Sequence, residues 1–236
     1  MTVNPKNSEN VIDTVKLLFT DDFFAYLCQE INRYHDEQGH RIWKKTLKWI
    51  DVTPTEMKKF LGIILLMGLV KKSEIRDYWS KDPLIETPIF SKTISRARFE
   101  QIWTFWHFNN NTEITADSNR LIKIQPLFDH FLPKFQKFYM PEREIILDES
   151  MIPWRGRLFF RTYNPAKIIK YGLLIRAVCE SKSGYAINIA IYCGEGKTLQ
   201  NTMLDKCVRC RVNGIIYIRI IIIIVFKILK CYYKRK

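Results

Sequence analysis

The apolar residues fall into helical spacing first and alternation later. From Thr20, Phe23, Phe24, Leu27, Ile31 and Tyr34 recur every three or four positions, which predicts a helix that ends in the polar segment Asp36 to His40. "TPTEMKKFLGIILLMGLV" opens with a helix start: Thr53 suits the N-cap, Pro54 the first turn, and Glu56 the reciprocal position of a capping box. The run from Phe60 to Val70 is apolar on every side and too short to span a bilayer, so it predicts a helix buried in a core. "SRARFEQIWTFWHF" puts Phe99, Ile102, Trp103 and Trp106 on one face. A further helix pattern runs through Leu127, Phe128, Phe131, Leu132, Phe135 and Phe138, where Pro133 is expected to kink or split it.

After Pro141 the period drops to two. Ile145 to Asp148 reads as a short apolar strand ending in the carboxylates Asp148 and Glu149. Tyr171, Leu173, Ile175, Ala177 and Cys179 share one face of a second strand, and Tyr185, Ile187, Ile189, Ile191 and Cys193 one face of a third. "ESKSG" joins the last two as a hairpin. "TLQNTMLDKC" predicts the start of a helix.

Composition adds a core and a charge. At 47% hydrophobic and 14% aromatic, the 236 residues can support a folded interior. The net charge of +14 points to a polyanionic partner, nucleic acid first. That charge is uneven: residues 206–236 hold nine of the 38 Lys and Arg and no acid, leaving 29 basic and 24 acidic residues in 1–205. The tail is Ile-rich, and its longest uncharged apolar run, Ile220 to Phe226, falls far below the roughly 20 residues a membrane span needs, so no membrane association is expected. The N-terminus shows no signal-peptide pattern. The six cysteines are read as free thiols in a reducing compartment. Cys207-x-x-Cys210 lacks the second ligand pair of a zinc site.

Candidate chemistry gathers in "LDESMIPWRGRLFFRTYNPAKIIKYG". Asp148 sits at the tip of an apolar strand, and Arg155, Arg157, Arg161, Lys167 and Lys170 follow. This set suits phosphate contacts, or equally a solvated basic face whose nearest arginines pair with the strand-end acid. Trp103, Phe105, Trp106 and Phe108 read as core packing with base stacking as the alternative, and His107 and His130 as structural. Lys71, Lys72 and Arg76 read as a charged helix end.

These blocks, with "EINRYHDE", "KKFLGIILLMGLVKKSEIRDYWS", "ISRARFEQIW" and "ESKSGYAINIAIYCGEGK", closely resemble the piggyBac family of cut-and-paste DNA transposases and their domesticated descendants. The resemblance runs from about Phe23 to Leu204. It implies an α+β chain: a helical dimerisation and DNA-binding domain over 1–140, part of an RNase H-like catalytic domain with three strands over 141–205, and an Ile/Lys-rich tail over 206–236 outside the family pattern. By the same resemblance Asp148 is the first of three catalytic aspartates. Such a set holds two Mg²⁺ ions about 4 Å apart for in-line phosphoryl transfer. In that fold the second acid lies on a fourth strand beside the first.

The sequence departs from the family there. No Asp or Glu follows Asp205, and the expected apolar-Asp-Asn strand is absent. Glu149 adjoins Asp148 and points to the opposite face of a strand. Asp77, Asp82 and Asp117 match no ligand pattern. Asp148 is therefore read as a relic metal ligand, with Mg²⁺ belonging to the family and no cofactor expected here. The leading reading is a truncated, nuclear, transposase-derived protein that binds DNA without strand transfer, as a homodimer or paired with full-length transposase. A second is a domesticated DNA-binding or dimerisation protein acting on transposon-like sites or on the full-length enzyme. A third is an active metal-dependent nuclease.

Overall fold

Thr53 does start a helix: its hydroxyl accepts from the Glu56 amide at 3.3 Å, and Pro54 occupies the first turn. The other half of the expected capping box is diverted. The Glu56 carboxylate accepts two bonds of 2.7 Å from the Arg98 guanidinium instead. The structure, a computed structural model, describes residues 11–42, 48–115, 118–154, 158 and 160–194. The helix start expected over Thr198–Cys207, the Cys207–Cys210 pair, the tail, Asp117, Arg155 and Arg157 lie outside the described residues.

Among the described residues six α-helices follow in order: α1 (Val11–Leu18), α2 (Asp21–Ile42), α3 (Pro54–Leu69), α4 (Pro88–Thr93), α5 (Arg96–Phe105) and α6 (Gln125–Phe138). Four strands come after them: β1 (Ile145–Pro153), β2 (Thr162–Tyr163), β3 (Tyr171–Glu180) and β4 (Ala186–Ile191). Packing divides the chain into two compact units. One is Phe19–Glu113; the other joins Met1–Leu18 to Ile114–Lys236. The break expected at 140/141 marks a change of period, whereas packing changes partner at 113/114.

In the Phe19–Glu113 unit, α2 runs through the polar segment predicted to end it. Arg33 reaches Glu30 and Glu37, one turn away on either side, and also Asn110, so half-buried charge pairing ties the helix together where its apolar spacing gives out. The core is aromatic: Phe60, Phe90, Phe99, Phe105 and Phe108 are fully buried. Trp106 and Phe60 meet edge to face at 5.0 Å, and the His107 ring stacks on Tyr34 at 4.1 Å. The aromatic set around residues 103–108 thus packs inward, and His107 is structural. α3 is not buried all round. Met57, Phe60, Leu61, Ile63, Ile64 and Met67 face the core, while Leu69 is 84% exposed.

In the other unit Pro133 neither ends nor splits α6. Proline removes the bond to the carbonyl of residue 129, and both Asp129 and Pro133 lie on the exposed side, where the loss of that bond costs least. The inner face carries Leu127, Phe128, Phe131 and Phe135. α6 packs against β4, and the Tyr185 hydroxyl donates to the Phe135 carbonyl at 3.1 Å. His130 donates to the Leu18 carbonyl of α1 at 2.9 Å; burial, its largest influence, lowers its pKa.

Among the described residues the sheet has four antiparallel strands where three were expected, with β3 pairing β1, β2 and β4. Gly184, at positive φ, closes the predicted hairpin. Alternation on β4 is broken by a register shift: Val178 faces Asn188 but Cys179 faces Ala186, so Ile187 is the extra residue of a bulge. Ala186 is therefore buried, and half-buried Ile187 has no directly opposed residue on β3. Gly172 sits opposite Pro153, so close that an added Cβ would lie 1.9 Å from the Ile152 carbonyl oxygen.

Candidate nucleic-acid interface

β1 is longer than predicted, and this relocates Asp148. It is the fourth residue of a nine-residue strand, not the tip of a short one, and it lies opposite Ala177. Directly paired residues share a face. Asp148 therefore stands with Ile146, Ser150 and Ile152 on β1, with Leu173, Ile175, Ala177 and Cys179 on β3, and with Ile189 and Ile191 on β4. None of these neighbours carries a second carboxylate. Burial first, then the charge of Asp148, push the Cys179 thiol up to about 11, so it stays protonated.

Glu149 faces the other way, and its partner is one the sequence reading missed. Arg176, across the sheet, donates from Nε to Glu149 Oε1 at 3.0 Å. The pairing is a product of strand register, and nothing in the local sequence marks it.

The backbone direction at this point follows from one bond. The Tyr192 amide donates to the Leu174 carbonyl, so the even-numbered residues of β3 turn their backbone groups to β4 and the odd ones to β1. On β1 the outward groups then belong to Ile145, Leu147, Glu149, Met151 and Pro153. Among the described residues β1 pairs only with β3. At the middle of this edge both Glu149 backbone groups are taken by side chains: Asp148 Oδ1 accepts from the Glu149 amide at 2.8 Å, and Lys167 Nζ donates to the Glu149 carbonyl at 2.6 Å. Pro153 supplies no N–H at the far end. These are devices that blunt a sheet edge.

Of the predicted phosphate-binding set, Lys167 is committed to that edge. Arg161 and Lys170 are exposed, and Arg161 lies 5.5 Å above the Tyr171 ring. Between them the segment is pinned by Asn164, whose amide donates to the Lys170 carbonyl at 2.8 Å and whose Oδ1 accepts from the Ala166 amide at 3.0 Å. From Met151 to Cys179 the sequence carries six basic residues and no Asp or Glu. The cations near the end of α3 are differently placed: Lys72 donates to the carbonyls of Asp77 and Ile85, and Arg76 pairs with Glu74 at 2.6 Å. Asp77 caps the turn beginning at Glu74, and Asp82 accepts from the Leu84 amide. A groove of about 430 Å³ at the starts of α3 and α5 holds Lys59 and Arg98, but Glu56 and Asp51 line it too.

The geometry can now be set beside known proteins. A family model described as Transposase IS4 matches residues 13–213. The chain belongs to that transposase family. Its relatives are piggyBac-derived. It is 28% identical over 172 residues to human PiggyBac transposable element-derived protein 2, covering 73% of this chain and 27% of the relative. It is 24% identical over 197 residues to human PiggyBac transposable element-derived protein 5, covering 80% and 36%. A piggyBac transposase solved in a synaptic complex with hairpin DNA shares the fold with a TM-score of 0.70 at 23% identity, covering 82% of this chain and 41% of that one. The chain thus spans well under half the length of these relatives.

Transposases of this family commonly use a divalent metal. The donors described here do not fit one. A hard cation takes six or more oxygen ligands. Asp148 brings one carboxylate to a sheet face otherwise made of aliphatic side chains, a hydroxyl and a protonated thiol, and among the described residues no group of three acidic, His or Cys side chains gathers.

Proposed function

We propose that this polypeptide binds DNA through the acid-free basic stretch beside Asp148 and does not itself perform strand transfer. The observation that carries this reading is the charge around β2 and β3: six basic residues without one acid, with Arg161 and Lys170 exposed at the sheet's end. Each phosphate they neutralise releases counterions and strengthens binding. The structural neighbour's complex with hairpin DNA supports the same ligand class, and a DNA-bound role implies a nuclear location. Among the described residues no second carboxylate shares the sheet face of Asp148, which supports the reading without strand transfer.

A second reading, association through the helical unit, is favoured by exposed apolar side chains there: Leu69, Leu84, Ile85 and Ile89. It makes the protein a dimer, or a partner of full-length transposase, that still binds DNA. Light scattering across a concentration series separates monomer from dimer.

The test of the first reading uses labelled duplex bearing transposon ends. At low salt the protein binds it, and with Mg²⁺ or Mn²⁺ it leaves both strands intact. Metal-dependent cleavage that disappears in Asp148→Ala overturns the claim of lost catalysis; absence of binding at low salt overturns the claim of DNA binding.

A further inference from the structure

The basic stretch also presents aromatic faces, which phosphate binding does not use. Tyr163 of β2 and Tyr171 of β3 are a directly opposed pair, so their rings stand on one side of the sheet. The ring centroids are 4.6 Å apart, and each residue keeps 54% of its surface exposed. Arg161 lies over Tyr171. Ile168 is fully exposed at the tip of the same segment, next to Lys167 and two residues before Lys170. The tip is held in place by the Asn164 bonds and by Lys167 on the Glu149 carbonyl. An exposed aromatic pair and an exposed isoleucine on a pinned, acid-free basic corner form a stacking surface edged with cations.

We infer that this corner takes unpaired bases: it is a single-stranded DNA site, in which a base stacks against the Tyr163–Tyr171 pair while Arg161 and Lys170 hold the flanking phosphates. In a duplex the flat faces of the bases are occupied by their neighbours, so only an unstacked base can use the rings. Apolar side chains such as Ile168 favour the same state, because they can occupy the gap that an unstacked step leaves. The inference rests on the DNA-binding reading and narrows it to a substrate form, a strand with unpaired nucleotides.

The probe is a short single strand carrying one 2-aminopurine, whose fluorescence falls when it stacks. A duplex of the same sequence serves as comparison. Wild-type protein quenches the single strand at saturation. Tyr163→Ala abolishes the quenching and weakens single-strand binding about tenfold, while duplex affinity stays within about twofold. Tyr163→Phe keeps both, because the ring and not the hydroxyl does the stacking. Tyr171→Ala behaves like Tyr163→Ala if its melting temperature is unchanged; if it misfolds, Tyr163→Ala decides alone. Unchanged quenching and single-strand affinity in Tyr163→Ala, with duplex binding intact, overturn this inference and leave the DNA-binding reading standing. Failure of the wild-type protein to bind either form removes both.

Discussion

The two compact units solve the same charge problem in opposite ways. Phe19–Glu113 holds fourteen Lys and Arg against thirteen Asp and Glu, and several of its described cations are paired within the unit: Arg33 with Glu30 and Glu37, Lys58 with Asp21, Arg76 with Glu74, Arg98 with Glu56. The sheet unit runs from Met151 to Cys179 without an acid. Among the described residues of that stretch, Arg176 finds a carboxylate partner, Glu149 on the neighbouring strand. The lesson is that net charge alone misplaces the interface. A region of many neutralised cations has little left for phosphate, while a short stretch lacking acids keeps its charge. The cores differ in parallel. The helical unit is filled by interlocked rings; in the other unit the buried aromatics lie mostly on α6, and the sheet face that carries Asp148 is aliphatic, set by Leu173, Ile175, Ala177, Ile189 and Ile191, and depends on strand register.

This comparison predicts different points of failure. The largest effect is expected from Phe60→Ala, which opens a void among Phe99, Trp103 and Trp106 and should cost about 3–5 kcal/mol. Hydrogen exchange should rise throughout Phe19–Glu113. The sheet unit fails by gaining a single methyl: Gly172→Ala drives a Cβ into the Ile152 carbonyl and should cost about 3 kcal/mol, read by denaturant unfolding, with exchange rising across β1 and β3.

Smaller effects test the polar ties. Arg98→Lys keeps the charge but loses the two-pronged bond to Glu56, the bond to the Ile50 carbonyl and the stacking over Trp49, for an expected loss of about 1–2 kcal/mol by thermal melting. In the sheet unit Glu180 is buried at the end of β3. Burial pushes its pKa up, but bonds from the Glu142 amide, the Ser183 hydroxyl and the Tyr139 hydroxyl outweigh it and hold the carboxyl below its ordinary value. A lowered folded-state pKa contributes stability that is complete above the unfolded value near 4.5 and is lost as pH falls through the folded one. Melting temperature should drop over that acid range in the wild type. Glu180→Gln should start lower at neutral pH and show a shallower acid drop.

Much of this was legible in sequence, for identifiable reasons. The start of α3 is written in Thr53 and Pro54, the inner face of β3 in strict alternation, and the hairpin in Gly184. What escaped reading depends on tertiary partners or on short length. α1 and α4 are only eight and six residues long. The bulge at Ile187 is hidden because Ala186 and Ile187 are both apolar. β1 continues past Asp148 through Glu149 and Ser150, whose polarity looked like an end, because β3 pairs it along its whole length. At the candidate interface the acid and the basic run were visible. The assignments of Arg176 to Glu149 and of Lys167 to a backbone carbonyl arise from register and could not be.

The contrast between neutralised and unneutralised cations is tested most directly by the salt dependence of duplex affinity. Fluorescence anisotropy across a salt series should give a linear fall of log K with log salt for the wild-type chain. In Arg161→Ala/Lys170→Ala the slope should be shallower by about 1–2 units, with weaker binding at every salt concentration. In Lys58→Ala/Arg76→Ala, which removes two paired cations of the helical unit, slope and affinity should match the wild type. A flattened slope in the helical-unit variant, with an unchanged one in the sheet variant, would contradict the account.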